Sequence, residues 1–180
     1  MTGAFFFSGQ YGSTAQYADW IRSATGLPVF HVNDSSADPS AYDFLILGSS
    51  VIAFKLTIRK WLTANWSNIE DKPIVLFSVS GAGAGSKLDG WLAGCLPEGV
   101  SAKMNHVALR GRLDPKKVSF VHKVMLRIGA WRNKDPQAKK EELEGFDYMD
   151  ESSIEPVLAL TRQFQSSEDK HELKESIGLS

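Results

Sequence analysis

A short polar loop near the beginning of the sequence has residue types that bind phosphate. The apolar run at residues 4–7 stops at this loop, and residues 15–21 then follow a helical pattern. A loop that leads into a helix leaves backbone N–H groups unpaired at the positive end of the helix dipole, where an anion binds. The predicted phosphate loop consists of Ser8, Gly9, Gln10, Tyr11, Gly12, Ser13 and Thr14.

What the loop lacks narrows the choice of ligand. A P-loop for nucleoside triphosphates has a lysine before its serine or threonine, and no lysine precedes Ser13 or Thr14. The spacing of Gly9 and Gly12 differs from the G-x-G-x-x-G of dinucleotide sites. A single terminal phosphate, such as that of FMN, fits better. The alternative is an ordinary strand-to-helix turn in which Ser13 or Thr14 is the N-cap.

Two further loops follow apolar runs and are candidate binding segments. The second loop mixes hydroxyl and apolar side chains, and it consists of Ser49, Ser50, Val51, Ile52, Ala53 and Phe54. The third loop is rich in glycine, which lets the backbone approach a flat ligand, and it consists of Ser78, Val79, Ser80, Gly81, Ala82 and Gly83. Together the loops suit a phosphorylated aromatic heterocycle, although the third alone is equally consistent with a flexible turn.

These loops are separated by alternating strand and helix patterns. Apolar runs predict strands at residues 4–7, 29–32, 44–47, 73–77 and 106–109, and amphipathic patterns predict helices at 14–25, 55–66 and 87–95. Continuous apolar strands are typical of a parallel sheet with helices on both faces, which predicts a doubly wound α/β fold. Ligands of such sheets bind at the carboxyl ends of the strands, where all three loops lie.

The last helix has its own start signal. Ser152 and Glu155 have the S-x-x-E spacing of a capping box, and an apolar helical pattern follows. We expect one domain over residues 1–165 and a polar tail over 166–180.

Composition excludes some classes of function. The 180 residues carry a formal net charge of −1, so we expect no nucleic-acid partner. The single cysteine, Cys95, excludes an internal disulfide and reads as a core residue. The four histidines lack metal-ligand spacing, so no metal site is predicted. The sequence shows no secretory signal and no apolar run long enough to span a membrane, so we expect a cytoplasmic protein, with peripheral contact at the inner face of the cell membrane as a further expectation.

Several positions carry a resemblance to a known family. The sequence resembles the flavodoxin-like superfamily and, more closely, the menaquinone-dependent protoporphyrinogen dehydrogenases within it. The amino-terminal signature is matched by Phe6, Phe7, Gly12, Thr14 and Ala18. Gly9 stands where the signature has serine or threonine, and residues 48–55 resemble the family's G-[AS]-S-I element beside the flavin ring.

The resemblance implies a fold, a cofactor and a reaction. The implied fold is a five-stranded parallel sheet in the order 2-1-3-4-5, and the implied cofactor is FMN. The family oxidises protoporphyrinogen IX and passes the electrons to a quinone. Since the flavin carries the redox chemistry, no catalytic side chain is assigned. One alternative is a flavodoxin-type electron carrier that docks on protein redox partners, and another is an interaction module that has lost its cofactor.

A long basic insertion before the last helix is the feature that favours the dehydrogenase interpretation. It covers about residues 110–150, and a connection of this length is usually functional. Residues 116–132 form an amphipathic pattern with apolar residues on one side and basic residues on the other. The residues expected to hold substrate propionates or lipid head groups are Arg110, Arg112, Lys116, Lys123 and Arg127. Alternatively, the helix packs its apolar side on its own domain or a second subunit, and its basic side meets the acidic stretch that follows.

Overall fold

The computed structural model describes residues 1–96, 99–132 and 134–176. Its centre is a sheet of five parallel strands, β1 (Gly3–Ser8), β2 (Val29–His31), β3 (Phe44–Ile52), β5 (Ile74–Ser80) and β6 (Asn105–Arg110). A short strand, β4 (Lys55–Leu56), pairs antiparallel with the end of β3. The parallel strands lie in the order β2-β1-β3-β5-β6, which confirms the predicted order of the sheet.

The described residues form six helices, α1 (Ser13–Thr25), α2 (Arg59–Ile69), α3 (Ser86–Ala93), α4 (Phe120–Arg132), α5 (Pro136–Glu144) and α6 (Glu155–Ser176). Four of them, α1, α2, α3 and α6, cover the two faces of the sheet. Alternate strand side chains point to opposite faces, so the apolar strands build two cores. One core packs Phe6 and Leu47 against α2 and α3. The other packs Phe5 and Phe77 against α1 and the start of α6, and the doubly wound prediction is thereby confirmed.

The insertion forms a small layer of its own. Strand β7 (Arg112–Leu113) pairs antiparallel with β8 (Phe146–Asp147), and α4 and α5 lie between these two strands in the chain. Gly145 precedes β8 with a φ of 90°, a conformation that favours glycine. A Cβ atom there would lie 2.5 Å from the carbonyl oxygen of Leu113, so glycine also allows the two strands to approach.

Several predicted boundaries were wrong. The third predicted strand continues to Ile52, because its last two residues pair with β4. The fourth continues to Ser80, because that residue pairs with Arg110 of β6. The second helix begins at Arg59 rather than residue 55, because Lys55 and Leu56 form β4. The insertion helix begins at Phe120 rather than residue 116.

The start of the last helix also differs from the prediction. The expected capping box at Ser152 is replaced by a 3-10 turn over Glu151–Ile154, which Asp150 caps by accepting a hydrogen bond from the backbone N–H of Ser152. The backbone of α6 stays helical to Ser176, through much of the predicted polar tail. The last part of that tail, residues 177–180, lies outside the described residues.

Candidate functional site

The predicted phosphate loop connects β1 to α1 at the carboxyl edge of the sheet. Its last two residues, Ser13 and Thr14, lie in the first turn of α1, and Gly12 is the N-cap. Gly12 has a φ of 92° and contributes no side-chain cap, so the alternative with Ser13 or Thr14 as N-cap was wrong. Because no side chain caps the helix, the N–H groups of its first turn are left to bind an anion.

Both hydroxyl groups at the start of α1 are already engaged within the protein. Ser13 Oγ accepts a hydrogen bond from the backbone N–H of Arg112 at 3.1 Å. Thr14 Oγ1 and Ser50 Oγ lie 2.6 Å apart in a hydrogen bond that joins the phosphate loop to β3. The backbone N–H groups, rather than these hydroxyls, are therefore the groups of the loop that remain available to a phosphate.

The contact between Thr14 and Ser50 also explains why residue 9 is a glycine. A Cβ atom on Gly9 would lie 2.8 Å from Thr14 Cβ and 3.3 Å from Ser50 Oγ. The first distance is shorter than carbon atoms tolerate, so the Thr14–Ser50 pair occupies the space that a serine or threonine at position 9 would need. The departure from the family signature thus has a steric cause.

The second loop is an extension of β3 that folds back as a hairpin. Ser49 is fully buried, and its hydroxyl donates to the carbonyl of Ser50 at 2.9 Å and accepts from the N–H of Ile58 at 3.2 Å. Thr57 Oγ1 donates to the carbonyl of Ser8 at 2.7 Å. Ser49 therefore contributes to the frame of the site, while Val51 and Ile52 pair with β4.

The tip of this hairpin holds two residues in an uncommon backbone conformation. Ala53 and Phe54 have φ angles of 49° and 65°, where side chains other than glycine are rare. The Phe54 side chain is 63% exposed, and its ring lies 5.2 Å from that of Trp91 on α3. Cys95 Sγ donates to the carbonyl of Phe54 at 3.2 Å, so α3 and the turn after it hold the strained tip in place.

The first half of the third loop belongs to β5. Ser78 is buried and shares a hydrogen bond of 2.9 Å with His106 Nε2, and Val79 is buried in the core. Desolvation lowers the pKa of His106 below its ordinary value. Ser80 Oγ is buried and has no hydrogen-bond partner within the described part of the chain. Since such an atom is costly to leave unpaired, it marks the end of β5 as a place for a polar ligand atom.

The glycines of the third loop lie against the insertion. A Cβ atom on Gly81 would lie 2.7 Å from the ring of Phe146, and Gly83, with a φ of 68°, lies beside the Arg110 side chain. Arg110 donates from Nη2 to the carbonyl of Gly81 at 3.1 Å. Its guanidinium carbon lies 3.4 Å from the ring centroid of Tyr148. The insertion thus forms one wall of the third loop.

The predicted basic residues fall into two groups. Arg110 lies beside the third loop, and the backbone of Arg112 contacts Ser13 of the phosphate loop. The Arg112 side chain forms an ion pair with Asp147 at 3.6 Å, in which both side chains are about half exposed. Lys116 precedes α4, and Lys123 and Arg127 lie on it; all three are exposed. The structure therefore brings only the two arginines to the three loops.

One contact joins the phosphate loop to α4. The Tyr11 hydroxyl is hydrogen-bonded to His122 Nδ1, and the same nitrogen lies 3.2 Å from Ser119 Oγ. Sequence reasoning missed His122, as well as the roles of Phe146 and Tyr148. Phe146, Asp147 and Tyr148 alternate in polarity after a glycine, but a run of three residues is too short to predict a strand.

An open cleft borders the phosphate loop. It has a volume of about 350 Å³ and is lined by Ser8, Gly9 and Gln10 from the loop, by the end of β2 and the two residues after it, by Thr57 and by the start of α2. A larger cleft of about 500 Å³ lies between α2 and the turn after α3, and none of the predicted site residues lines it. We associate ligand binding with the first cleft because three residues of the predicted phosphate loop, Ser8, Gly9 and Gln10, line it.

These features fit FMN. The first turn of α1 offers N–H groups to a phosphate, and a Cβ atom on Gly12 would enter open space at that point. The unpaired Ser80 hydroxyl and the backbone of the third loop offer polar atoms to a flat ring. The residues that would hold the cofactor are thus those of the three loops at one edge of the sheet.

Two solved structures of other proteins are similar to this chain. A flavoprotein in complex with FMN from Lactobacillus acidophilus NCFM has 12% identity and a TM-score of 0.43, over 61% of this chain and 91% of that one. A Trp repressor binding protein from Bacillus subtilis has 15% identity and a TM-score of 0.49, over 79% of this chain and 95% of that one. No curated protein sequence matches.

None of the described helices is long and apolar enough to cross a bilayer.

The family comparison gives the clearest result, because the model of the Flavodoxin domain matches residues 4–140, which is most of the chain and includes all three loops. The chain therefore belongs to the flavodoxin-domain family, an FMN-binding family.

Proposed function

We propose that the protein is an FMN-dependent oxidoreductase that oxidises a reduced, carboxylate-bearing substrate of the porphyrinogen type and passes the electrons to a quinone. When bound, FMN supplies the two-electron redox chemistry. The first-turn N–H groups of α1 hold its phosphate, and the hairpin of the second loop and the glycines of the third loop position its ring. No side chain of this site has to move a proton.

The observation that carries this proposal is the wall that the insertion builds beside the third loop. Arg110 fixes that loop through Gly81, and Tyr148 stacks on the guanidinium group from the other side. The Tyr148 hydroxyl donates to Glu141 at 2.5 Å, and this hydrogen bond lowers the pKa of the Glu141 carboxyl. A loop held this firmly is suited to place a flavin ring against a substrate.

Arg112 is the residue best placed to bind a substrate carboxylate. It lies on β7, and its partner Asp147 is 3.6 Å away in a half-exposed ion pair. Such an exposed pair contributes at most about 1 kcal/mol, so a substrate carboxylate can replace Asp147 at little cost. The guanidinium group of arginine binds a carboxylate through two parallel hydrogen bonds, which also orients the substrate.

The test is anaerobic reduction of the FMN-loaded protein by protoporphyrinogen IX, followed by addition of a menaquinone analogue. We expect the flavin absorbance to bleach with the porphyrinogen and to return with the quinone. We also expect Arg112→Gln to raise KM for the porphyrinogen by about tenfold, which corresponds to about 1.4 kcal/mol. Arg22→Gln is the matched control, because Arg22 is an exposed arginine in an ion pair with Asp19 on α1.

Other outcomes separate the alternatives. Bound flavin that neither compound changes would contradict the substrate and acceptor and favour the electron carrier. Equal KM values for the two variants would contradict the role of Arg112. A protein that binds no flavin would contradict the whole proposal.

A further inference from the structure

The outer side of α4 carries a continuous apolar surface. Six of the nine exposed large apolar side chains in the described part of the protein lie on this one helix. We call them the α4 face, and they are Phe120, Val121, Val124, Met125, Ile128 and Trp131. Phe120 and Trp131, near the two ends of the helix, are 80% and 81% exposed. Single exposed apolar residues are ordinary, but a grouped set of this size marks an interaction surface.

The α4 face points outward because the opposite side of the helix is anchored to the domain. Ala130 is buried, and a Cβ atom on Gly129 would lie 2.9 Å from Glu142 on α5. His122 is tied to Tyr11 of the phosphate loop. These small or hydrogen-bonded residues occupy the inner side, so at 100° per residue the large apolar side chains are turned away from α5 and the phosphate loop.

The charged side chains of α4 itself are all of one sign. The helix contains Lys123, Arg127 and Arg132 and no acidic residue, and Lys116 lies just before it. All four side chains are exposed. Lys123 and Arg127 are four residues apart and therefore border the apolar surface along the same edge.

We propose that the α4 face is a docking surface for a membrane that contains anionic lipids. A helix with an apolar face, aromatic side chains and a basic edge lies in the lipid interface, with its apolar side among the acyl chains and its cations at the phosphates. At about 1.5 Å per residue, its 13 residues offer a contact about 20 Å long. Each cation near such a surface adds about 1 kcal/mol of attraction.

The charge pattern favours lipid over a second copy of the protein. Antiparallel self-association through the α4 face would place the basic edge of one helix close to that of the other, and like charges in an interface cost several kcal/mol. An anionic bilayer neutralises the same charges. The inference extends the proposed function, since a quinone acceptor is lipid-soluble, but its test needs neither substrate nor acceptor.

The experiment is co-sedimentation with vesicles made of equal parts phosphatidylglycerol and phosphatidylcholine, compared with pure phosphatidylcholine vesicles. We expect the protein to bind the anionic vesicles at least tenfold more tightly, and we expect added salt to weaken that binding. The double variant Val124→Glu with Ile128→Glu should lose at least tenfold in affinity. Both positions are about half exposed, so the fold tolerates the change, which circular dichroism verifies.

Two further variants make the result specific. Leu143→Glu is the matched control, because Leu143 is a similarly exposed apolar residue on the neighbouring helix α5, and this variant should bind like the wild type. Lys123→Glu with Arg127→Glu should reduce binding to anionic vesicles and leave any binding to neutral vesicles unchanged.

Three results would overturn the inference: no binding to anionic vesicles, equal binding of the α4-face variant and the Leu143 control, or a dimer that the α4-face variant dissociates without vesicle binding. Failure of the proposed function would give a different result from failure of this inference. A protein that binds vesicles but no FMN would contradict the oxidoreductase and leave the docking surface intact.

Discussion

The substitution Gly9→Ser distinguishes two expectations, one taken from the family signature and the other based on this structure. The signature has serine or threonine there, so restoring the hydroxyl by Gly9→Ser would be expected to add a bond to the FMN phosphate. In this protein the new Cβ atom would lie 2.8 Å from Thr14 Cβ and 3.0 Å from Thr14 Oγ1. We therefore expect the substitution to destabilise the fold and to weaken FMN binding.

The magnitude follows from two contributions. Overpacking a well-filled position costs about 1–3 kcal/mol, and displacing Thr14 from Ser50 loses a hydrogen bond of about 1 kcal/mol. The sum of about 3 kcal/mol lowers Tm by roughly 6–12 °C in a domain of this size. The shifted loop no longer presents its N–H groups correctly, and we expect the Kd for FMN to rise by about tenfold, or about 1.4 kcal/mol.

The assays are thermal unfolding of the apoprotein and titration of FMN fluorescence. Gly9→Ala adds the same Cβ atom without the hydroxyl, so the difference between the two variants isolates any contact of the hydroxyl with phosphate. Ser50→Ala removes the hydrogen bond to Thr14 without adding an atom and should cost only about 1 kcal/mol. If Gly9→Ser binds FMN more tightly at unchanged Tm, the space assigned to the Thr14–Ser50 pair is free and the steric argument is refuted.

Three more predictions concern other parts of the molecule. Gly12→Ala and Gly26→Ala both place alanine at a positive φ with no atom nearby, at opposite ends of α1. Each should lower the free energy of unfolding by roughly 1 kcal/mol, but only Gly12→Ala should weaken FMN binding. An equal effect of the two variants on FMN binding would contradict the position of the phosphate. Tyr11→Phe removes the hydrogen bond to His122 on α4. The loss of about 1 kcal/mol of local stability should speed amide hydrogen exchange in that helix about fivefold. Unchanged exchange would show that this contact does not anchor α4. The lowered pKa of His106 means that the unfolded chain binds a proton more readily than the folded one, so the free energy of unfolding should fall as the pH drops below about 6.5. In urea unfolding, His106→Gln should make this fall less steep. An equally steep fall in the variant would show that another group causes it.

The sheet was predictable because its strands are long apolar runs. Phe44 to Leu47 and Ile74 to Phe77 are buried on both faces, and that continuous pattern by itself indicates a parallel sheet. The ends of the strands were not predictable in the same way. Ser49 and Ser78 look like loop residues, yet they pair across the sheet in register, and only the tertiary fold supplies those partners.

The two-residue strands were missed because they have no period to detect. β4 exists because Ala53 and Phe54 reverse the chain, and β7 and β8 exist because Arg112 and Asp147 meet across the insertion. Such contacts join residues far apart in the sequence.

The candidate site was also predictable only in part, for the same reason. Residues 8–14 alone were enough to predict a loop between a strand and a helix, because an apolar run ends there and a helical pattern begins; phosphate binding by this loop stays a prediction. The engagement of its hydroxyls was not foreseen, because Ser13 contacts Arg112, which is 99 residues away in the chain. The wall that Tyr148 and Phe146 build against the third loop depends on the path of the insertion, which local patterns do not specify.

Titration of the apoprotein with FMN and, in parallel, with riboflavin tests the central claim most directly, because the two ligands differ by the phosphate alone. If the N-terminus of α1 binds that phosphate, FMN should bind at one equivalent and at least a hundredfold more tightly than riboflavin, a difference of about 2.7 kcal/mol. Equal affinities for the two ligands, or binding of neither, would contradict the assignment of the phosphate site to this helix.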